Sequence, residues 1–331
     1  MEITVRLCLK WRSFLTKPSP RTLDFQYMDF PFESFNPPQQ AVLPHYDKDC
    51  NLVVSLPTAS GKTAIAEVVM SYELATNDGR RVIYTSPLKS LSSEKNRSWS
   101  STPVFRQAGV VLRTGDFFPK KEKLDKSRVF VSTYECLDSR TRWDIYRDFF
   151  LSTSTLIVDE AHILGEPGRG AKLETMLMRA SEINPSTRLI LLSATMTNSK
   201  QIAKWVKSLN GKETFCVVSK WRPTPVDVSY ISYVDRTLDY GAALDSMVAK
   251  ILERVKPNYK SEKILIFVHS KFVGRKIIDS LVSEGIRCGF HHAGVSYRSR
   301  EKIEKSFSDP DDGINVLVST STLAMGVNLE K

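Results

Sequence analysis

Cysteine is scarce and scattered: five in 331 residues, at Cys8, Cys50, Cys136, Cys216 and Cys288. The number is odd and no two stand as C-x-x-C, so neither a disulfide framework nor a zinc site is signalled. That usage fits a reducing compartment. No run of eighteen apolar residues occurs; a bilayer-spanning helix needs about that many, so no membrane association is expected. Internal repeats and low-complexity tracts are missing as well, which excludes repeat arrays and linker-like chains. Acidic residues are the minority, 37 Asp plus Glu against 47 Lys plus Arg, for a net charge of +10. A basic surface binds polyanions by releasing condensed counterions, so nucleic acid is the leading partner class, with plain solubility the bland alternative.

What is present is globular. Hydrophobic residues make up 41% and charged residues 25%, which excludes a mostly disordered chain. The length suggests about two domains. Residues 1–30 are set apart as an N-terminal extension. Met1 to Lys17 carries Arg6, Lys10, Arg12 and Lys17 with only Glu2 acidic, as a transit peptide would. Against that, serines are few and Val5, Leu7 and Leu9 alternate like a strand.

From residue 50 onward short apolar runs alternate with helical stretches. Leu52–Val54, Val82–Tyr84, Val129–Val131, Leu156–Val158 and Leu189–Leu192 read as buried strands, with a helix over Ala64–Leu74. Strands apolar throughout and separated by helices imply an α/β fold whose parallel sheet is covered on both faces. The prolines of Trp221-Arg222-Pro223 and Pro225 disfavour helix and central strand, so 217–226 is expected as a linker between a domain over 31–216 and a second over 227–331. In the second, Ile264–Phe267 and Val316–Val318 read as strands and Val273–Ser283 as a helix. This second sheet is expected to be incomplete, with about half the strands of the first.

Two motifs carry chemistry. Pro57-Thr58-Ala59-Ser60-Gly61-Lys62-Thr63 sits between a strand and a helix, the context of a phosphate-binding loop. Backbone N–H groups there form an anion nest at the positive end of a helix. Lys62 would reach the β- and γ-phosphates of a nucleoside triphosphate and the Thr63 hydroxyl would hold Mg²⁺. Leu56 stands where the strict pattern has glycine. Asp159-Glu160-Ala161-His162 follows the strand Leu156–Val158, at the carboxyl end where ligands of such sheets bind. Asp159 can hold Mg²⁺ and Glu160 can polarise the attacking water. Ser86–Leu91, Thr114-Gly115-Asp116, Ser132–Glu135 and Ser193-Ala194-Thr195 are small hydroxyl, Gly and Lys clusters after strands, suited to a sugar–phosphate backbone.

In this order and spacing the segments from about residue 33 to 331 resemble the superfamily-two helicases, and within them the Ski-two-like branch, nearest the archaeal repair helicases and the polymerase theta helicase domain. The branch marks are Pro87-Leu88-Lys89-Ser90-Leu91, Thr133-Tyr134-Glu135 with Leu137-Asp138, Gly168-Arg169-Gly170, Trp221-Arg222-Pro223, His291-His292-Ala293-Gly294 and Thr320 to Leu329. The resemblance implies two RecA-like domains in tandem and an ATP- and Mg²⁺-dependent motor on single-stranded or forked nucleic acid, DNA favoured over RNA, moving 3′ to 5′ in repair or recombination. It would act in the cytoplasm of a prokaryote or the nucleus of a eukaryote.

The same resemblance implies residue roles. Gln39 would read adenine; Thr58, Ala59, Ser60 and Gly61 would cradle phosphate; Lys62, Thr63, Asp159 and Glu160 would bind and hydrolyse ATP. His162, Ser193 and Thr195 would couple hydrolysis to domain movement. Pro87, Lys89, Thr114, Gly115 and Thr133 would line the strand track on the first domain, and Ser270, His292, Thr320 and Thr322 on the second. Gly326 and Asn328 would approach the nucleotide from across the cleft. The family's arginine motif is expected beyond Lys331, so this chain is expected to bind ATP with Mg²⁺ but to turn it over slowly. The alternatives are a module that binds ATP and single strands without productive turnover, and an RNA helicase of the exosome or spliceosome type.

Overall fold

The computed structural model describes residues 27–223, 226–232, 239–309 and 314–323. The strand-like alternation at Val5, Leu7 and Leu9, and the nucleotide contacts expected of Gly326 and Asn328, lie outside these residues. The chain divides into two compact units between Pro223 and Thr224.

The first unit is built on seven parallel strands: β1 (Asn51–Ser55), β2 (Arg81–Ser86), β3 (Val110–Arg113), β4 (Val129–Thr133), β5 (Thr153–Val158), β6 (Arg188–Ser193) and β7 (Thr214–Val218), in the spatial order β3-β4-β2-β5-β6-β1-β7. Successive strand side chains point to opposite faces, and here both faces are apolar. Leu52, Val54, Tyr84, Ile157, Ile190 and Leu192 pack on one side with Ile65, Met70 and Trp99. Val53, Ile83, Phe130, Leu156, Val158 and Leu191 pack on the other with Leu137, Leu173, Leu177 and Val206. Continuous apolar strands are therefore stable only between two helical layers, and burying one such side chain stabilises by about 1.5–3 kcal/mol.

Because all seven strands run the same way, every one ends on the same edge. That edge carries, in spatial order, Thr114 after β3, Thr133 closing β4, Pro87 and Lys89 after β2, Asp159 and Glu160 after β5, Ser193 closing β6 and the loop 56–61 after β1. The helix beginning at Lys62 runs to Thr76 and contains the helix expected over Ala64–Leu74.

β7 extends through Val218, two residues into the segment expected as linker. It pairs with β1 from Asn51↔Thr214 to Ser55↔Val218. The strand is half-buried, and an edge strand needs no partner on its outer side, so the prolines that follow do not disturb it.

The second unit has β8 (Ile264–Phe267), β9 (Cys288–His291) and β10 (Val316–Ser319), parallel in the order β8-β10-β9. Helices Tyr240–Val255 and Lys271–Ser283 cover them, burying Leu244, Val248, Ile251, Ile277 and Leu281 against Ile264, Ile266, Val316 and Val318. Among the described residues no helix is long and apolar enough to cross a membrane.

Candidate nucleotide and nucleic-acid site

The phosphate loop owes its shape to two left-handed residues, Ala59 (φ 64°) and Gly61 (φ 78°). Alternating hands of backbone turn successive N–H groups inward and make an anion-binding concavity. Ser60 is buried and its hydroxyl donates to Pro57 O at 2.5 Å, bracing the turn. Leu56, in place of the pattern's glycine, is a core residue with no exposed surface, and its N–H donates to Ser193 O at 3.0 Å. The Lys62 ammonium donates to the carbonyls of Leu56 and Pro57 at 3.3 and 3.2 Å. Thr58 is exposed and Thr63 half-buried.

Gln39 braces this loop. It is buried at the start of the helix Pro37–Val42, where Asn36 caps: Asn36 Oδ1 accepts from Gln39 N–H and Gln39 Oε1 from Asn36 N–H. Gln39 Nε2 then donates to Gly61 O at 3.1 Å, and Asn36 Nδ2 to Ser60 O at 3.0 Å. A Cβ on residue 61 would lie 2.2 Å from Gln39 Nε2, so any other residue there must displace the Gln39 amide as well as take a left-handed backbone.

Asp159 and Glu160 lie close enough to Lys62 to act on its charge. Burial lowers the Lys62 pKa, Glu160 and then Asp159 pull it back up, and Arg222 adds a smaller downward push. Burial raises the Glu160 pKa, with Asp159 adding to the rise and Lys62 and His162 opposing it. The three groups thus share one electrostatic space. Glu160 itself is left-handed (φ 52°), a strained backbone of the kind that collects at functional positions. His162 Nδ1 lies 3.2 Å from Glu160 Oε2 without hydrogen-bond alignment.

Asp159 is fixed from two more sides. Its Oδ2 accepts from the Tyr84 hydroxyl and its Oδ1 from the Glu160 N–H at 2.9 Å, while its carbonyl accepts from the Tyr134 hydroxyl. The Thr63 hydroxyl and the Asp159 carboxylate are hard oxygen donors of the type Mg²⁺ takes, so this donor set fits that ion. Ser193 is buried and its hydroxyl donates to Ala194 O at 2.8 Å; the Ser55 hydroxyl, at the end of β1, accepts from Met196 N–H at 2.8 Å. The Ser193–Thr195 segment is therefore stitched to the strand that carries the phosphate loop. Thr195 itself is exposed.

On the same edge the structure brings together the residues expected along the strand track. Lys89 Nζ pairs with Asp116 Oδ2 at 2.7 Å. Arg169 reaches Pro87 O at 2.5 Å and Glu135 Oε1 at 3.1 Å, tying two branch marks to a third. Pro87, Thr114 and Thr133 are buried, whereas Lys89 and Gly115 are exposed.

In the second unit Ser270, His292 and Thr320 follow β8, β9 and β10 and again share the carboxyl edge. The Ser270 hydroxyl caps the helix Lys271–Ser283 by accepting from Val273 N–H at 3.2 Å. Desolvation first, then Lys271, Arg275 and His291, hold the His292 pKa below its ordinary value. His291 is buried, its Nδ1 2.7 Å from Thr322 Oγ1 and its Nε2 2.8 Å from Glu304 Oε1.

The sequence signature described as DEAD/DEAH box helicase matches residues 36–202, and that described as helicase conserved C-terminal domain matches 245–331. The chain belongs to the DEAD/DEAH box helicases. Within superfamily two it falls in the Ski-two-like branch. It is 31% identical over 341 residues to the ATP-dependent DNA helicase MER3 of Saccharomyces cerevisiae, covering 91% of this chain and 28% of that protein. It is 31% identical to the ATP-dependent DNA helicase Hel308 of Thermoplasma volcanium, covering 88% of this chain and 45% of that one. The chain therefore spans less than half the length of either relative. The helicase Lhr of Mycobacterium smegmatis, solved with ssDNA and AMP-PNP, superposes with a TM-score of 0.64 at 23% identity over 90% of this chain and 41% of that one. The fold is the RecA-like helicase fold, with its parallel sheets in tandem.

Spacing alone did not reveal Asn36, Tyr84 or Tyr134 as parts of the candidate nucleotide site. Asn36 had a signal, a capping residue three before a glutamine. Tyr84 had none, because its partner lies 75 residues away.

Proposed function

We propose that this helicase-family chain binds ATP with Mg²⁺ at the loop 56–63 and uses it to move along single-stranded nucleic acid, DNA in preference to RNA, 3′ to 5′, in repair or recombination. One observation carries the reading: the loop leading to Lys62 and the pair Asp159–Glu160 lie on one carboxyl edge with a single strand between them, and the same edge holds Lys89, Thr114 and Thr133 further along. The names of the two relatives, both DNA helicases, support DNA over RNA.

The geometry supports the following division of labour. The nest at 59–61 and Lys62 hold the terminal phosphates, Lys62 exchanging its two carbonyl partners for phosphate oxygens. Thr63 and Asp159 would hold the ion. Magnesium, when bound, supplies positive charge against the β- and γ-phosphate oxygens. Glu160 orients the attacking water and takes its proton, a task suited to a carboxylate whose pKa stands above the usual range. The Ser193–Thr195 segment, hydrogen-bonded to Ser55, feels any movement of the loop.

A fluorescent ATP analogue titrated into the chain tests this. Lys62→Ala should abolish its binding and leave single-strand binding largely intact. Equal nucleotide affinity in the variant would remove the assignment. Competition between DNA and RNA strands of one sequence separates the two substrates, since the 2′-OH is what tells them apart.

A further inference from the structure

The expected track on the first unit has little surface of its own: Pro87, Thr114 and Thr133 are buried. Beside it stand two large aromatic side chains in the open. Phe117 is 49% and Phe118 67% exposed. A tight turn places them. Thr114 and Phe117 exchange both backbone hydrogen bonds, at 3.2 and 3.3 Å, so Phe117 lies directly across from Thr114. The Lys89–Asp116 ion pair ties the turn to the segment after β2.

Phe118 is pinned rather than loose. The Arg113 guanidinium lies over its ring, 3.4 Å from the centroid. One face is thus covered by a cation and the ring keeps most of its surface. Adjacent exposed aromatic rings are unfavourable in water and mark binding surfaces. The surrounding charge indicates the partner: residues 113–128 hold six cations and three anions, with exposed Lys120, Lys123 and Lys126 immediately following. A flat apolar face inside a basic segment is the combination that binds a single strand, lysines on phosphates and a ring on a base.

We propose that the Phe117–Phe118 turn is a stacking shelf for an unpaired base of single-stranded nucleic acid. It rests on the strand track proposed above and adds to it a contact with a base, where the backbone contacts only set position. Stacking is tolerant of sequence because every base has a π-face, so the shelf grips any single strand and rejects a closed duplex.

The test measures anisotropy of a fluorescein-labelled oligo-dT strand with the full chain at low salt. Phe118→Ala should weaken binding about tenfold, Phe118→Trp should restore it, and the loss should vanish on a strand abasic at every position. Nucleotide binding, at the far end of the edge, should be unchanged in both variants. A strand affinity unaltered by Phe118→Ala and by Phe117→Ala, or an equal loss on the abasic strand, would overturn the shelf and leave the track standing. Failure of the unaltered chain to bind any strand would overturn both.

Discussion

The hydroxyl of Tyr84, wholly buried in β2, donates to the Oδ2 of Asp159 at the end of neighbouring β5. Tyr84 also meets Trp99 edge-on at 4.9 Å, and Trp99 Nε1 donates to Glu67 Oε1 at 2.8 Å on the phosphate-loop helix. The Asp159 carboxylate, proposed to hold the metal, the helix Lys89–Ser101 and the helix Lys62–Thr76 are thus joined through one buried chain of contacts.

Tyr84→Phe should keep the packing and release the carboxylate. A hydrogen bond to a charged group contributes about 1.5–3 kcal/mol. Affinity for an ATP analogue without Mg²⁺ should not change, while the gain on adding Mg²⁺ should shrink about tenfold or more. An unchanged Mg²⁺ titration would show that Asp159 is held by its other partners alone.

Gly61→Ala should distort the loop. The left-handed backbone costs about 1 kcal/mol for a residue with a Cβ, and the 2.2 Å approach to Gln39 forces a shift besides. Nucleotide affinity should drop at least tenfold. An affinity unchanged by Gly61→Ala would show that the loop tolerates a Cβ at this position.

Arg188 and Glu73 form a buried ion pair at 3.0 Å, each side chain 4% exposed, with Arg188 also donating to the carbonyls of His45, Tyr46 and Cys50. Arg188→Ala leaves the Glu73 charge buried without its partner, so urea unfolding should show a loss of about 3–5 kcal/mol. Replacing both by apolar residues, Arg188→Met with Glu73→Leu, should recover much of it.

Glu67 has its pKa raised above 4.5, burial first, with the Trp99 bond and Lys95 opposing. The folded form therefore holds its proton to higher pH than the unfolded one. Stability from this group is complete below the unfolded pKa and is lost as pH rises through the folded pKa. Glu67→Gln keeps an acceptor for Trp99 and removes the ionisation. Its melting temperature at pH 7 should exceed that of the parent, and the decline with pH just above 4.5 should flatten.

The local parts of the site were legible in the sequence and the distant parts were not. The loop 57–63 and Asp159-Glu160 follow apolar runs directly, so strand, turn and chemistry sit within a dozen letters. β7 and β9 lack that contrast: β7 is half-buried at an edge, and β9 reads Cys-Gly-Phe-His. Gln39 was legible as a candidate site residue, yet its clasp on Gly61 required the third dimension. The buried chain through Tyr84, Trp99 and Glu67 depends on strand order, which places β2 beside β5, and no spacing in the sequence encodes that.

β7 lies against β1 along its whole length, and Ser219 N–H still holds Ser55 O at 3.2 Å beyond the last paired residues. Four residues later the first unit ends at Pro223. A pull on the polypeptide at that exit is delivered to the strand from which the phosphate loop springs, through the parallel hydrogen bonds and through Cys216 and Val217, packed on opposite faces of the sheet. Mechanical load and the proposed nucleotide grip would in this way meet on the same two strands.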